Sequence, residues 1–422
     1  MEQALTRRAG RPYDIIVWGA TGFTGQLVAE YLARSGPADL RWGIAGRSAK
    51  KLEEIKQMVE SIRKFSKFQV FVADSDDKAS LDAFVAQTRV VLTTVGPFMK
   101  YGMKLVESCV NNQTHYIDST GESPFVKKAI DLYGEKAKAE GTILVPMSGF
   151  DSVPADLGSF LVAQHFKVKH GKKTAQVAAS VVKMSGGISG GTLASMINII
   201  NSGEMGSAAG PYALTPKEYI PADPKAAPGP TILKYDPIIK MWRCLWLMEA
   251  VNTQVVMRSN GLFGNQYGSK FKYSEAMGRK SIFSAIAINV SMGVAIISVL
   301  IPVVRWFLAY MIPPGTGPTR KQIENGSIHM VFTGVSETAS TEEKPLQAIA
   351  EIKFYKDPGY GETAKMLAES ALSVLDREKM NKLPDGAFKP VPAGFLTPAT
   401  AFGNILIDRL IKSNWSVTVR DA

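Results

Sequence analysis

Cysteine and histidine are scarce in this sequence of 422 residues. The two cysteines, Cys109 and Cys244, lie far apart and form no Cys-x-x-Cys motif, which argues against a disulfide scaffold and a cysteine-rich zinc site. Among the four histidines, His165 and His170 are five positions apart with no acidic residue between them, so we interpret them as surface residues and not as a metalloprotease pair. The sequence therefore predicts no metal site and fits a reducing, intracellular compartment.

Several targeting and catalytic motifs are also missing. The basic residues near the amino terminus precede no apolar core, which argues against a secretory signal, and the final "TVRDA" matches no retention or peroxisomal address. Neither a Cys/His finger, an RNP-like aromatic string nor a long basic arm is present, so we expect no nucleic-acid partner. None of the thirteen tyrosines is followed four positions later by lysine, which excludes the Tyr-x-x-x-Lys pair of short-chain dehydrogenases.

The composition is that of a large globular protein. Hydrophobic residues make up 45% of the chain and charged residues 21%, and a chain of this length is expected to divide into two domains. The formal net charge of +11 and the pI near 9.4 favour an anionic ligand or an anionic membrane surface as a partner.

The first 150 residues alternate between strand-like and helix-like segments. Six apolar strands are predicted over residues 14–18, 40–45, 69–73, 90–95, 115–118 and 142–145. Because apolar strands that alternate with helices form a parallel sheet covered on both faces, residues 1–150 are expected to form a doubly wound Rossmann domain in an α/β protein.

A different pattern follows in residues 151–393. Strand-like runs at 176–184, 327–335 and 348–355 predict an α+β second domain with a mixed or antiparallel sheet. The glycine-rich stretch 185–192 and the proline-rich stretch 215–230 are expected to be loops. Residues 394–422 begin a helix with Thr397 as its N-cap and Pro398 at its first position, and we expect this helix to return to the first domain.

Residues 282–304 form a long apolar run without any charge, between Lys280 and Arg305. The run is long enough to cross a bilayer, although Asn289 and Pro302 argue against a simple spanning helix. Three interpretations remain open at this point: a buried helix of the second domain, a monotopic segment embedded in a membrane or lipid droplet, and a transmembrane span.

The stretch "VWGATGFTGQ" places three glycines between the first strand and the first helix. This context favours a dinucleotide site, because such glycines let the backbone approach a pyrophosphate and the helix N-terminus attracts an anion. We expect Gly22 to adopt a positive φ. The predicted contacts in this loop are Gly19, Thr21, Gly22, Phe23, Thr24 and Gly25.

The second strand ends in "AGRSAKK" and not in the acidic residue that binds the ribose hydroxyls in NAD-preferring sites. Arg47 is expected to pair with a 2′-phosphate, so the sequence favours NADP(H) as the cofactor. Ser48 and Lys51 belong to the same predicted contact set, and Asp74 is expected near the adenine edge.

The carboxyl end of the fourth strand, "TTVGPFMKYG", is expected beside the nicotinamide. The predicted contacts there are Thr94, Val95, Gly96, Pro97 and Phe98, with Phe98 and Tyr101 facing the cleft. No catalytic acid is evident from the sequence. Tyr101, Tyr116 and Asp151 are candidates by their position after strands, with a structural role as the alternative for each.

Taken together, "GATGFTG", "AGRS", "VGPF", "YIDSTGE" and "GFDSVPADLG" resemble the saccharopine dehydrogenase-like oxidoreductases, which include the trans-acting enoyl reductases. "SGGT", "PPGTGP", "YGETAKM" and "GFLTPATAFG" continue the resemblance over nearly the whole chain. Bacterial members look like partners of polyketide synthases in glycolipid synthesis, and eukaryotic members are associated with lipid droplets and membranes. The resemblance implies a reductase acting on a lipid or lipid-thioester substrate.

Three functions stay open on the sequence. The first is an NADP-dependent oxidoreductase that reduces an activated, enoyl-type double bond of a lipid-linked substrate in lipid or glycolipid metabolism. The second is a lipid-droplet or membrane-associated nucleotide-binding protein without turnover, and the third is a saccharopine-type amino-acid dehydrogenase. The expected location is intracellular and membrane- or droplet-associated, with a soluble cytoplasmic protein as the alternative, and a homo-oligomer fits either.

Overall fold

A computed structural model describes residues 8, 10–186, 197, 206, 208–222, 229–311, 317–340, 342–377 and 386–422 of the chain. Three features of the sequence fall partly outside these residues. They are the glycine-rich stretch 185–192, including "SGGT", beyond residue 186; residues 223–228 of the proline-rich stretch; and residues 313–316 of "PPGTGP".

Six strands from the first 150 residues and one strand from near the end of the chain form a seven-stranded parallel sheet in the order β3-β2-β1-β4-β5-β6-β13. The direction of strand succession reverses between β1 and β4, as in doubly wound dinucleotide-binding folds. The strands are β1 Tyr13–Trp18, β2 Trp42–Gly46, β3 Phe68–Val72, β4 Thr88–Thr93, β5 His115–Asp118, β6 Ile143–Val145 and β13 Gly394–Phe395.

Helices cover both faces of this sheet. Along β1, Ile15 and Val17 are buried in one apolar cluster, whereas Ile16 and Trp18 are buried in another. This two-sided burial explains why the strand is a continuous apolar run. The helices between these strands are α1 Phe23–Ser35, α2 Ala49–Ile62, α3 Lys78–Val85, α4 Phe98–Tyr101, α5 Met103–Asn111 and α6 Ser123–Ala139.

A second seven-stranded sheet has the order β14-β12-β11-β7-β10-β9-β8. The β7 and β10 strands are parallel and the other pairs antiparallel, so the sheet is mixed and the predicted fold class is confirmed. Its strands are β7 Thr174–Ser185, β8 Leu233–Asp236, β9 Met241–Cys244, β10 Lys272–Arg279, β11 Ser327–Ser336, β12 Gln347–Phe354 and β14 Ser416–Asp421.

The remaining helices pack on this sheet or connect it to the first. They are α7 Val153–His170, α8 Glu249–Leu262, α9 Ile282–Leu300, α10 Pro302–Met311, α11 Arg320–Glu324, α12 Thr363–Arg377, α13 Pro398–Ala401 and α14 Asn404–Lys412, with a 3₁₀ turn at Lys217–Tyr219 and a π turn at Pro358–Glu362.

The carboxyl-terminal segment contributes to both sheets. Gly394 and Phe395 pair with β6 in the first sheet, while β14 pairs with β12 in the second. Between the two halves, α12 packs on α1, where the Tyr31 hydroxyl donates a hydrogen bond of 2.5 Å to Glu369. The cofactor-side helix α1 is thereby fixed against the second half of the chain.

Residues 282–311, which include the apolar run 282–304, form two consecutive exposed helices, α9 and α10, which are called the apolar helix pair below. The apolar side chains of this pair are unusually accessible, with Phe283 80% and Trp306 69% exposed, and in α9 only Ala285 is buried. Asn289 anchors α9 to the rest of the second half, since its amide accepts from the Leu245 N–H and donates to the Ile232 carbonyl. The interpretation of this run as a buried core helix is therefore wrong.

Candidate functional site

The loop between β1 and α1 folds tightly on itself. Gly19 has a φ of +86°, which favours glycine, and a Cβ there would lie 2.5 Å from Val95 Cγ2. A Cβ on Gly25 would collide with the carbonyl oxygen of Gly19, so Gly25 allows α1 to approach β1. These two glycines are therefore required by the fold itself.

Gly22 has a different role. Its φ is −78°, so the expectation of a positive φ at Gly22 is wrong, and the positive φ belongs to Gly19. Among the described residues, a Cβ on Gly22 would meet only the Gly19 carbonyl oxygen, at 3.3 Å. The exposed space in front of Gly22 is thus open to a ligand.

The N-terminus of α1 faces this space, and no side chain of the described residues caps it. Gly22 is the N-cap and offers no side-chain hydrogen bond, and the first turn holds no acidic residue. The first-turn N–H groups, which include those of Phe23, Thr24 and Gly25, have no partner within the helix and carry the positive end of its dipole. Thr21 lines the loop beside Gly46. This arrangement fits a pyrophosphate.

A second anion-binding feature follows β2. Arg47 is exposed and pairs with no residue in the described parts of the chain, so its guanidinium is available to a ligand. Ser48 is the N-cap of α2, where its hydroxyl accepts from the backbone N–H of Lys51. The Lys51 side chain is exposed beside it. A guanidinium at this edge suits a 2′-phosphate.

Asp74 lies next to this edge because the N–H of Ala73 donates to the Gly46 carbonyl at 3.1 Å. Its carboxylate accepts from the Asp76 N–H, and its own N–H donates to the Ser80 hydroxyl. Asp74 therefore shapes the turn before α3 and is half-buried at the predicted adenine edge.

The carboxyl end of β4 forms the other wall of the glycine loop. The Thr94 N–H donates to the Trp18 carbonyl at 3.1 Å, and Val95 covers Gly19. The exposed Gly96 and half-buried Pro97 follow, joined by a cis peptide bond. The structure thus brings Thr94–Pro97 alongside the β1–α1 loop.

Glu122 organises the same region, although the sequence analysis did not single it out. Its buried carboxylate accepts from the N–H groups of Phe98 and Met99 at 2.9 and 2.8 Å, which fixes the start of α4. The only sequence signal is the acidic residue that ends "YIDSTGE", because its partners are backbone groups 24 and 23 positions away.

The Phe98 side chain does not face the cleft as expected. It is buried against Phe125, with ring centroids 5.8 Å apart, because α4 packs on α6. Tyr101 is half-buried at the end of α4, where the Lys100 ammonium lies 4.9 Å from the centre of its ring.

Tyr116 is fully buried within the first sheet. Its hydroxyl donates to Asp118 at 2.7 Å, and the other Asp118 oxygen accepts from the N–H groups of Thr120 and Met147. Burial raises the pKa of Asp118 to about 6. The Tyr116–Asp118 pair therefore joins the loops after β5 and β6 instead of reaching the cleft.

Asp151 is the candidate acid whose carboxyl stays unengaged. It follows β6, and a Cβ on Gly121 would lie 3.4 Å from its Oδ2, so the loops after β5 and β6 meet there. It makes no hydrogen bond or ion pair with any described residue, and burial raises its pKa to about 6. This environment suits a group that exchanges a proton near neutral pH.

The second half of the chain closes over this edge. The Phe23 ring contacts Tyr360 edge-on at 5.3 Å, and a Cβ on Gly317 would lie 2.5 Å from Phe23 Cε1. The Thr363 hydroxyl accepts from the Phe150 N–H at 3.0 Å. All three contacts involve motifs of the resemblance, "PPGTGP" and "YGETAKM", for which the sequence indicated no spatial position.

Comparison with known proteins supports the prediction of an NADP(H)-binding domain. The sequence model of the saccharopine dehydrogenase NADP binding domain matches residues 15–145. A Mycobacterium tuberculosis relative, named provisionally as a trans-acting enoyl reductase, is 34% identical over 423 residues, which cover 95% of this chain and 96% of the relative. A trans-acting enoyl reductase of Mycobacterium leprae is 32% identical over 427 residues with the same coverage.

Among solved structures, apo saccharopine dehydrogenase (L-Glu forming) from Saccharomyces cerevisiae matches 97% of this chain and 100% of its own, with a TM-score of 0.50 and 12% identity. At this identity the match concerns the fold alone. The chain belongs to the saccharopine dehydrogenase-like family that includes the trans-acting enoyl reductases, and it is an NADP-dependent oxidoreductase.

Proposed function

We propose that this oxidoreductase reduces an enoyl-type double bond of a lipid-linked substrate at a membrane surface. The observation that carries the proposal is the exposed apolar helix pair, whose end the chain keeps within about 20 Å of Gly317 at the cofactor loop. The named activity of the mycobacterial relatives supports the reaction class.

The residues around the glycine loop fit NADP(H). The α1 N-terminus would hold the pyrophosphate in the open space at Gly22, and Arg47 would pair with the 2′-phosphate. When bound, the cofactor supplies a hydride. Residues Thr94–Pro97, at the carboxyl end of β4, would position the nicotinamide and help to exclude water.

Reduction of an α,β-unsaturated thioester needs a hydride at the β-carbon and a proton at the α-carbon, with the carbonyl oxygen carrying negative charge in between. We assign that proton to Asp151, whose carboxyl has no partner among the described residues. With a pKa of about 6, the carboxyl is protonated in about one molecule in ten at pH 7, against about one in a thousand for an ordinary aspartate. The buried hydroxyl of Tyr116 is already donated to Asp118 and is not used in this scheme.

The apolar helix pair is suited to an interfacial lipid environment. On α9, Val290 and Ile297 are 62% and 63% exposed. On α10, Trp306 and Tyr310 stack on each other, and the basic residue Arg305 directly precedes Trp306 in the chain. Aromatic and basic residues of this kind are typical of the membrane–water interface. Among the described residues, α9 is the one helix long and apolar enough to cross a membrane.

The length of the connecting chain limits how far the apolar helix pair can lie from the cofactor loop. Six residues of chain lead from Met311, the last residue of α10, to Gly317, which contacts Phe23. Because an extended chain spans at most about 3.5 Å per residue, the end of α10 lies within about 20 Å of Gly317. Both Lys280 and Gly317 belong to the same half of the protein, which favours a monotopic insertion and a substrate drawn from the lipid phase.

Asp151→Asn is expected to lower the rate of NADPH-dependent reduction of a trans-2-enoyl thioester by about 10²-fold, the usual contribution of general acid catalysis. In the parent enzyme, kcat/KM should fall as the pH rises through about 6, because the protonated acid is lost, and the variant should lack this dependence. The measurement is the pH profile of NADPH oxidation, with Asp131→Asn, an exposed carboxyl on α6, as the control. Equal profiles for parent and Asp151→Asn would remove Asp151 from this role.

A further inference from the structure

The carboxyl terminus brings an acidic residue to the two histidines that the sequence leaves unpartnered. His165 and His170 lie on the last turns of α7, and their Nε2 atoms are 2.7 and 2.9 Å from Asp421 Oδ1 on β14. About 250 residues separate Asp421 from the histidines in sequence, so no local spacing could indicate this cluster.

The three side chains converge as ligands to one ion would. Their ligand atoms all lie within 4.8 Å of one another, and the two imidazole ring centroids are 5.7 Å apart. Two imidazole nitrogens and one carboxylate oxygen are donors that Zn²⁺ accepts, at about 2.0–2.2 Å each, with a water completing the tetrahedron. Modest rotations of these side chains would give that geometry.

The surroundings of Asp421 fix its carboxylate. The strand pairing of Asp421 with Ala348 sets its position, and the Lys169 ammonium lies 2.6 Å from the other oxygen, Oδ2. A donor on the second carboxylate oxygen is a common outer-shell feature of metal sites. Oδ1 is thereby directed at the two imidazoles.

We propose that His165, His170 and Asp421 form a divalent transition-metal site, with Zn²⁺ as the probe ion, that links the last strand of the second sheet to α7. The site is separate from the cofactor cleft, because α7 begins at Val153 beside Asp151 and the histidines lie at its opposite end. Its role is structural: an ion here would hold β14 on the edge of the sheet.

Zinc binding to the full-length, untagged chain in detergent tests this proposal by calorimetry and by the shift in melting temperature. We expect one Zn²⁺ per chain with micromolar or tighter affinity, and a rise in melting temperature with zinc concentration. His170→Gln and Asp421→Asn should each weaken binding at least tenfold. His329→Gln, which removes a histidine that lies 2.9 Å from Glu351 without a second imidazole, should bind as the parent does.

Three results would overturn the proposal, and the first of them needs only the parent chain. Absence of stoichiometric zinc binding to the parent, or equal binding by the parent and a folded Asp421→Asn variant, would show that the cluster is a hydrogen-bonded contact only. Loss of binding in His329→Gln as well as in His170→Gln would place the ion elsewhere and contradict the assignment.

Discussion

Gly22→Val is expected to abolish binding of NADPH and NADH while the chain stays folded. The valine side chain would fill the open space in front of the α1 N-terminus, where the pyrophosphate binds, and it would meet little of the protein itself. Since φ at Gly22 is −78°, the backbone accepts a branched residue, and the loss of stability should stay near 1 kcal/mol. Titration by cofactor fluorescence and circular dichroism measure the two effects.

Two further variants make this experiment specific. Arg47→Ala should weaken NADPH binding about tenfold or more and leave NADH binding nearly unchanged, because only the 2′-phosphate loses its charge-assisted partner. Gly134→Val, in α6 and away from the cleft, is the matched control and should bind both cofactors normally. Normal cofactor binding by folded Gly22→Val would show that the space serves another purpose.

Val294→Asp/Ile297→Asp is expected to abolish flotation of the full-length chain with liposomes of phosphatidylcholine and phosphatidylserine. Both residues lie on α9 and are 59% and 63% exposed, so the fold should tolerate the carboxylates. Moving each carboxylate into the apolar layer costs roughly 2.5 kcal/mol or more, enough to reverse binding.

The control for this flotation experiment introduces the same two charges elsewhere on the surface. Leu132→Asp/Ile411→Asp replaces two apolar residues, 57% and 43% exposed on α6 and α14, and should float with the liposomes as the parent does. If the Val294→Asp/Ile297→Asp variant floats equally well, the apolar helix pair is not the membrane contact.

Six of the seven strands of the first sheet could be predicted from the sequence because their signals are local. These strands are mostly apolar runs bounded by turn residues, and the Gly19–Gly25 motif sits where a strand meets a helix. The absence of an acidic residue at Arg47 likewise predicted NADP(H), in agreement with the matched domain. These inferences need only the neighbours of each residue in the chain. The seventh strand, β13, has only two residues and joins the sheet by pairing with β6, which no local pattern indicates.

Contacts made across the fold could not be predicted in this way. Glu122 is paired with backbone groups, Tyr360 is 337 positions from Phe23, and Asp421 is 256 positions from His165. The buried position of Phe98 depends on how α4 packs against Phe125. Sequence patterns hold no information on which distant side chains meet.

The apolar run 282–304 shows a different limit. Composition and length are the same for a core helix and for one that enters a lipid layer, so periodicity could not separate the interpretations. The exposure of Phe283 and Val290 on α9, the helix that follows β10 of the second sheet, excludes the core helix. Asn289, which argued against a simple span, is accounted for by its contacts with Leu245 and Ile232.

The most direct test of the proposed function is transfer of deuterium from 4-deuterated NADPH to a lipid-linked substrate. Each stereoisomer of the labelled cofactor is incubated with the full-length protein, liposomes and a long-chain trans-2-enoyl thioester, and the products are measured by mass spectrometry. The account predicts a saturated thioester with one deuterium at the β-carbon from one of the two isomers. A chain that binds NADPH but gives no labelled product with enoyl thioesters, and instead oxidises saccharopine, would contradict it.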